Sequence, residues 1–180
     1  MSQTPFDPRA ITIVSGGQTG ADRAALDFAI EHGIPHGGWC PRGRLAEDGP
    51  IPAQYNLQET PTDKYPQRTE WNVRDSDATA IFTLAAFAEG GTLLTFEIAQ
   101  RLGKPWQHVA RDAGLIALGD VAANPAEAPA TLPLSAHAAR LREFLIKHEV
   151  RHLNVAGPRA SQEPEIGDFV RGVLAGALLS

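Results

Sequence analysis

The segment Ser15-Gly16-Gly17-Gln18-Thr19-Gly20-Ala21-Asp22 limits the fold more than any other part of the chain. It follows the apolar run Ile11-Thr12-Ile13-Val14 and opens an amphipathic stretch, so a buried strand ends in a glycine turn and a helix begins. Glycines let backbone amides approach a ligand closely, and the unpaired amides of a helix N-terminus favour an anion. The segment reads as a phosphate cradle, with Gly16, Gly17, Gln18, Thr19, Gly20 and Asp22 as candidate ligand contacts. A plain βα turn would use the same glycines for backbone geometry alone, and two further loops weigh against that.

One is Glu89-Gly90-Gly91-Thr92, after the run Ala80 to Leu84 and ahead of a helical stretch from Leu93 to Leu102. The other is Asn154-Val155-Ala156-Gly157-Pro158-Arg159, closing the last expected strand. In an open parallel sheet the carboxyl ends of all strands lie on one edge, so three such loops share one crevice. Gly90, Gly91, Thr92, Asn154, Gly157 and Arg159 join the candidate site.

Strand and helix patterns alternate. Helices are expected over Asp22 to His32, Pro66 to Ser76, Leu134 to Leu145 and Pro164 to Leu179. Strands are expected over Ile34 to Trp39, Ala78 to Leu84, Lys104 to Ala110 and Leu153 to Ala156. The pattern predicts an α/β fold: a doubly wound, Rossmann-like parallel sheet of about five strands with helices on both faces. Residues 1–180 form a single domain, with 1–10 a loose leader and 111–135 a surface excursion rich in Ala and Pro. The residues after that excursion are too few for a second core.

A formal net charge of −5 gives no bulk attraction to nucleic acid or to an anionic membrane. No apolar run approaches the ~20 residues that span a bilayer. Cys40 is the single cysteine, which rules out an intrachain disulfide, and the first residues lack the character of a secretory signal. The cytoplasm is the expected compartment. His32 and His36 are separated by Gly33 and Pro35, which break a shared helical face, so no metal held directly by protein side chains is expected.

Arg42, Arg44, Arg68 and Arg159 sit in or beside the expected loops, and a guanidinium fork suits the oxygens of a phosphate or similar oxyanion. Arg68, Asn72 and Asp75 fall at i, i+4 and i+7 and share a helical face with Trp71 alongside. That stripe reads either as a solvated surface or, for Arg68, as an approach to the ligand. Trp39 or Trp71 could stack on a flat ring, although packing is the commoner use of a large aromatic. Cys40 reads more simply as a small residue at a strand end than as a ligand to a soft metal.

The set Gly16-Gly17-Gln18-Thr19-Gly20-Ala21-Asp22, Pro41-Arg42-Gly43-Arg44, Tyr65-Pro66-Gln67-Arg68-Thr69, Ser76-Asp77-Ala78, Gly90-Gly91-Thr92 and Asn154 to Arg159 resembles the molybdenum carrier family. That family lies within a wider Rossmann-like superfamily containing the lysine-decarboxylase-like LOG enzymes and YpsA-like (SLOG) proteins. The resemblance implies binding of the molybdenum cofactor (molybdopterin) for storage or delivery to a molybdoenzyme or a cofactor-insertion partner, by a homo-oligomer. No nucleic-acid or membrane partner is implied. It also leaves an enzyme reading open. LOG-like nucleoside monophosphate phosphoribohydrolases are similar at Arg68, Ser76-Asp77-Ala78 and Glu97, making Arg68 and Glu97 the alternative catalytic pair. The sequence departs from them at Thr69 and in the short Glu89-Gly90-Gly91-Thr92 loop. A sensor of nucleotide-derived ligands would use the same loops without turnover.

Overall fold

A computed structural model describes residues 10–86, 88–112 and 131–180. Most of the expected leader and of the expected excursion lies outside the described residues. The central sheet contains β1 (Thr12–Val14), β2 (His36–Gly37), β7 (Ala78–Thr83), β8 (Trp106–Ala110) and β9 (His152–Ala156). Between β2 and β7 lie four short strands, β3 (Trp39–Cys40), β4 (Leu45–Ala46), β5 (Gly49–Pro50) and β6 (Gln58–Glu59). The helices are α1 (Ala21–Glu31), α2 (Tyr65–Arg74), α3 (Gly90–Arg101), α4 (Leu134–Lys147) and α5 (Ile166–Leu178).

The five-stranded sheet runs β2-β1-β9-β7-β8 with every neighbouring pair parallel, as expected for the doubly wound class. All six residues of β7 are buried, which explains its unbroken apolar pattern: both of its faces are covered. The main core joins the sheet to α1, α4 and α5 through Phe28, Leu141, Val173 and Leu174. A smaller cluster joins α2 and α3 through Val73, Ile98 and Ala99. Each fully buried side chain of this size stabilises the fold by about 1.5–3 kcal/mol.

The chain leaves β1 toward β2 on one side and leaves β7 toward β8 on the other. The last strand, β9, fills the gap between β1 and β7. The three loops of interest therefore follow three adjacent strands, at the place where the winding direction reverses.

The second strand differs from expectation. Ile34 to Trp39 splits at Gly38, where φ is +133° and an added Cβ would lie 2.2 Å from the Ser15 carbonyl oxygen. Before the break, His36 and Gly37 pair with β1; after it, Trp39 and Cys40 pair with β6. The long polar stretch from Cys40 to Pro50 folds in part into the β4–β5 hairpin. Helix α3 begins at Gly90, three residues before the expected start, which puts Gly90, Gly91 and Thr92 in its first turn.

Candidate functional site

The first loop is closed from beneath by its own residues. Ser15 Oγ donates to the Val155 carbonyl at 2.8 Å, tying the end of β1 to β9. Asp22, only 2% exposed, accepts from the Gln18 amide at 3.4 Å and from Arg68 Nη1 at 3.2 Å. Burial pushes the Asp22 carboxyl above the ordinary value, opposed by the Arg68 charge and then by the Gln18 and Gly16 amides. Arg68, carried by α2, lies across Gly16, where an added Cβ would sit 2.1 Å from its Nη1. The absence of a side chain at Gly16 is what lets the guanidinium reach the loop.

Gly17 faces away from this arginine. Its φ is +75°, and an added Cβ would lie 2.5 Å from Leu57 Cδ1 in the apolar cluster of Leu26, Cys40, Ile51, Tyr55 and Leu57. Gln18 is buried, and its Oε1 accepts from the amides of Thr19 at 3.0 Å and Glu47 at 2.9 Å. Its Nε2 is buried with no partner among the described residues.

The third loop packs directly on the first. Ala21 N–H donates to Pro158 O at 3.1 Å, and a Cβ on Gly20 would come within 2.4 Å of that same oxygen. A Cβ on Gly157 would come within 2.6 Å of Phe82 O and 2.7 Å of Ala21 Cβ, so β7, α1 and the third loop meet there. The Arg159 and Arg68 guanidinium carbons lie 5.9 and 6.0 Å from the Tyr65 ring centroid, which sets two cations around one aromatic.

The second loop is the open one. Helix α3 has no side-chain cap, and added Cβ atoms on Gly90 and Gly91 would meet nothing within 4 Å. Its start carries the partial positive charge that favours an anion, and of its first turn the Thr92 amide already donates to Glu89 O at 3.1 Å. Behind it, Glu163 accepts from the amides of Leu84 at 2.6 Å and Ala85 at 3.5 Å. Thr83 Oγ1 donates to Ala85 O at 2.6 Å and lies 2.7 Å from His108 Nε2, so the imidazole supplies the proton of that second bond. Burial pushes the His108 pKa down, in keeping with a neutral ring.

Several expected contacts are committed elsewhere. Arg44 donates to the carbonyls of Ile51, Leu57, Pro52 and Tyr55 at 2.9, 3.1, 2.9 and 2.9 Å, a clasp on the chain between β5 and β6. Asn154 is 2% exposed within β9, and its Nδ2 donates to Thr79 Oγ1 at 3.2 Å. Arg42 is exposed and anchored through its backbone N–H to Thr62 O. Glu97 is exposed well inside α3, away from the helix start. Of the polar stripe on α2, only Arg68 reaches the first loop. Asn72 bonds both backbone groups of Trp39, at 2.7 and 2.9 Å, and Asp75 accepts from Trp39 Nε1 at 2.8 Å.

Trp39 and Trp71 stack edge to face on each other, with centroids 4.7 Å apart. Cys40 is fully buried, and burial raises its thiol pKa. No group of three or more His, Cys, Asp or Glu side chains among the described residues could hold a metal ion.

Two contributors were not expected from the sequence, Glu47 and Ser161. Glu47 accepts from Thr19 Oγ1, from Ser161 N at 3.2 Å and from Ser161 Oγ at 2.5 Å, and its Oε2 lies 3.9 Å from Arg159 Nε. The hairpin tip is also held by the ion pair of Asp48 with Arg23. The only signal in the sequence was the length of the polar stretch, since Glu47 lies 28 residues from Thr19 and 114 residues from Ser161.

Residues 13–178 match the model of the circularly permutated YpsA SLOG family. The chain belongs to that family. The matched residues run from β1 to the last turn of α5 and include all three loops of this SLOG protein. Among solved structures, one from Syntrophus aciditrophicus SB, named "Putative molybdenum carrier protein", is 44% identical, with a TM-score of 0.79. The alignment covers 94% of the SLOG chain described here and 96% of that one. No curated protein matches the chain. No described helix is long and apolar enough to cross a membrane. Family and neighbour together support a ligand-binding role.

Proposed function

We propose that the protein binds an anionic, phosphate-bearing heterocycle over the carboxyl ends of β1, β9 and β7, and that the molybdenum cofactor is its cargo, held for storage or delivery. The carrying observation is the meeting of three loops from adjacent strands with Arg68 laid over Gly16 and an uncapped α3 start at Gly90 and Gly91. A charged fork and the amides at a helix start suit phosphate oxygens, and the guanidinium groups of Arg68 and Arg159, both close to the Tyr65 ring, add two positive charges beside the crevice. The choice of molybdenum cofactor rests on the name of the Syntrophus neighbour. With Cys40 fully buried in its own apolar cluster, the metal would arrive on the cofactor's own sulfurs.

The test is to purify the protein from a host that makes molybdenum cofactor, then measure what copurifies by mass spectrometry and metal analysis. Pterin with molybdenum is the expected result. Replacing Arg68 with Ala removes a charge-assisted contact of about 1.5–3 kcal/mol, so affinity should fall by about ten- to a hundredfold, beside a loss of stability from the buried Asp22 left without its ion-pair partner, which urea unfolding reads separately. Recovery of an adenine nucleotide without molybdenum would replace the carrier reading with a nucleotide sensor or hydrolase. Release of adenine from AMP, lost in Glu97→Gln, would then select the hydrolase.

A further inference from the structure

Between the first and third loops lies a small cradle of donors: the Thr19 hydroxyl, the Ser161 amide and hydroxyl, and the Arg159 guanidinium. The Ala160 amide fixes the cradle by donating to Thr19 Oγ1 at 3.2 Å. A two-oxygen anion already sits there, the carboxylate of Glu47, which takes the three hydrogen bonds and faces the arginine. Those same bonds, led by Ser161 and Thr19, hold its carboxyl below the ordinary carboxylate value.

The hairpin carrying Glu47 is built with a fixed base and a released tip. At the base, Arg44 is clamped by four carbonyls, and its own φ of +53° starts the turn into the hairpin. At the tip, Gly49 has φ +111° and nothing within 4 Å of an added Cβ. Glu47 and Asp48 are then held by the polar contacts already described, with no apolar anchor between the two strands beyond Ala46. Contacts of this kind exchange readily for equivalent contacts with another anion, because exposed ion pairs contribute little net stability.

We propose that Glu47 is an internal stand-in for a ligand phosphate: the cradle of Thr19, Arg159 and Ser161 is a phosphate subsite, and a bound phosphate displaces the Glu47 carboxylate and swings the hairpin tip outward. This rests on the reading of the crevice as a site for phosphate-bearing ligands and adds a subsite and a gate to it. The gate excludes small anions that do not bring enough further contacts to replace those of Glu47. A ligand that also engages Arg68 and the α3 start opens it.

The probe is inorganic phosphate, titrated into the full chain and followed by calorimetry and by amide chemical shifts of Ser161 and Thr19. Glu47→Gln keeps the shape of the side chain and removes the competing charge, so its phosphate affinity should exceed wild type by about tenfold, the ratio for one weakened charge-assisted bond. Ser161→Ala and Arg159→Gln, each in the Glu47→Gln background, should reverse the gain. Thermal unfolding of each variant shows whether it remains folded. If wild type binds phosphate and Glu47→Gln binds it no better, or the shifts appear at Gly90 and Gly91 instead, the gate is overturned while the crevice reading stands. If Glu47→Gln does not bind phosphate at all, the subsite is overturned. A simultaneous failure of Arg68→Ala to change binding of the copurified cargo would remove the crevice reading as well.

Discussion

A methyl group on Gly16 would lie 2.1 Å from Arg68 Nη1, whereas one on Gly17 would lie 2.5 Å from Leu57 Cδ1. The two adjacent glycines therefore fail in different ways when replaced. Gly16→Ala, at a residue without positive φ, should push Arg68 off the loop and off buried Asp22, weakening ligand binding by about tenfold or more together with a loss of stability from the parted ion pair. Gly17→Ala should mainly cost stability, about 1–2 kcal/mol for the left-handed backbone alone, because its φ is +75°. Calorimetric binding read beside urea unfolding separates the two. Arg44→Ala is expected to behave like Gly17→Ala: with four carbonyls losing their partner, urea unfolding should show a loss of about 1.5–3 kcal/mol. That arginine shows where reading residues in order runs out. A guanidinium in a polar loop looks the same in a sequence whether it holds a ligand or the loop itself, and the carbonyls it holds belong to a segment without periodicity. Asn154 poses a related problem, since a polar residue inside a strand becomes a sheet contact only when its neighbour supplies Thr79.

The regular elements were legible because burial leaves a period. The apolar run of β7, the helical spacing in α1 and the stop at Gly33, whose φ is +64°, each carry their geometry locally. The break at Gly38 was hidden because its cause, the Ser15 backbone, comes from another strand. The α4–α5 seam shows how closely elements approach: added Cβ atoms on Gly172 and Gly176 would lie 2.6 Å from Leu134 Cδ2 and 2.7 Å from Ala138 Cβ. His137 lies within that seam, 4% exposed, its ring edge-on to Phe169, with Nε2 unpartnered among the described residues. Burial, and then the charge of Arg140, lowers its pKa. A histidine that prefers to be neutral when folded contributes stability that is full above its unfolded value, about 6.5, and is lost as pH falls through the folded value. Stability should therefore decline between pH 7 and 5, with a limiting slope of about 1.4 kcal/mol per pH unit for each such histidine. His108 adds a second share of the same sign. His137→Leu should flatten the profile by one share, as measured by urea unfolding across that range; an unchanged slope would clear His137.

At the scale of the molecule, the order β2-β1-β9-β7-β8 puts the last strand of the chain in the middle of the sheet. Removing residues 149–180 takes out β9 and α5 together, leaving β1 and β7 without their shared neighbour and α1 and α4 without the helix they pack on. Such a truncation should yield an unfolded chain by circular dichroism and amide dispersion, not a trimmed but ordered protein. The family and the winding could be read from the motifs and their order. The insertion of β9 between β1 and β7 could not, because strand order depends on which edges pair and leaves no trace in the spacing of residues. The same insertion has a consequence during synthesis. The contacts that join the first loop to the third and to its strand, Ser15 with Val155 and Ala21 with Pro158, wait for residues far along the chain, 140 positions later in the case of Ser15. A nascent chain that has not yet made β9 lacks the strand on which β1 and β7 both pair, so the sheet closes only once β9 is present. A chain released before β9 therefore carries no half-formed crevice, because the third loop and the strand that seats it between β1 and β7 arrive together.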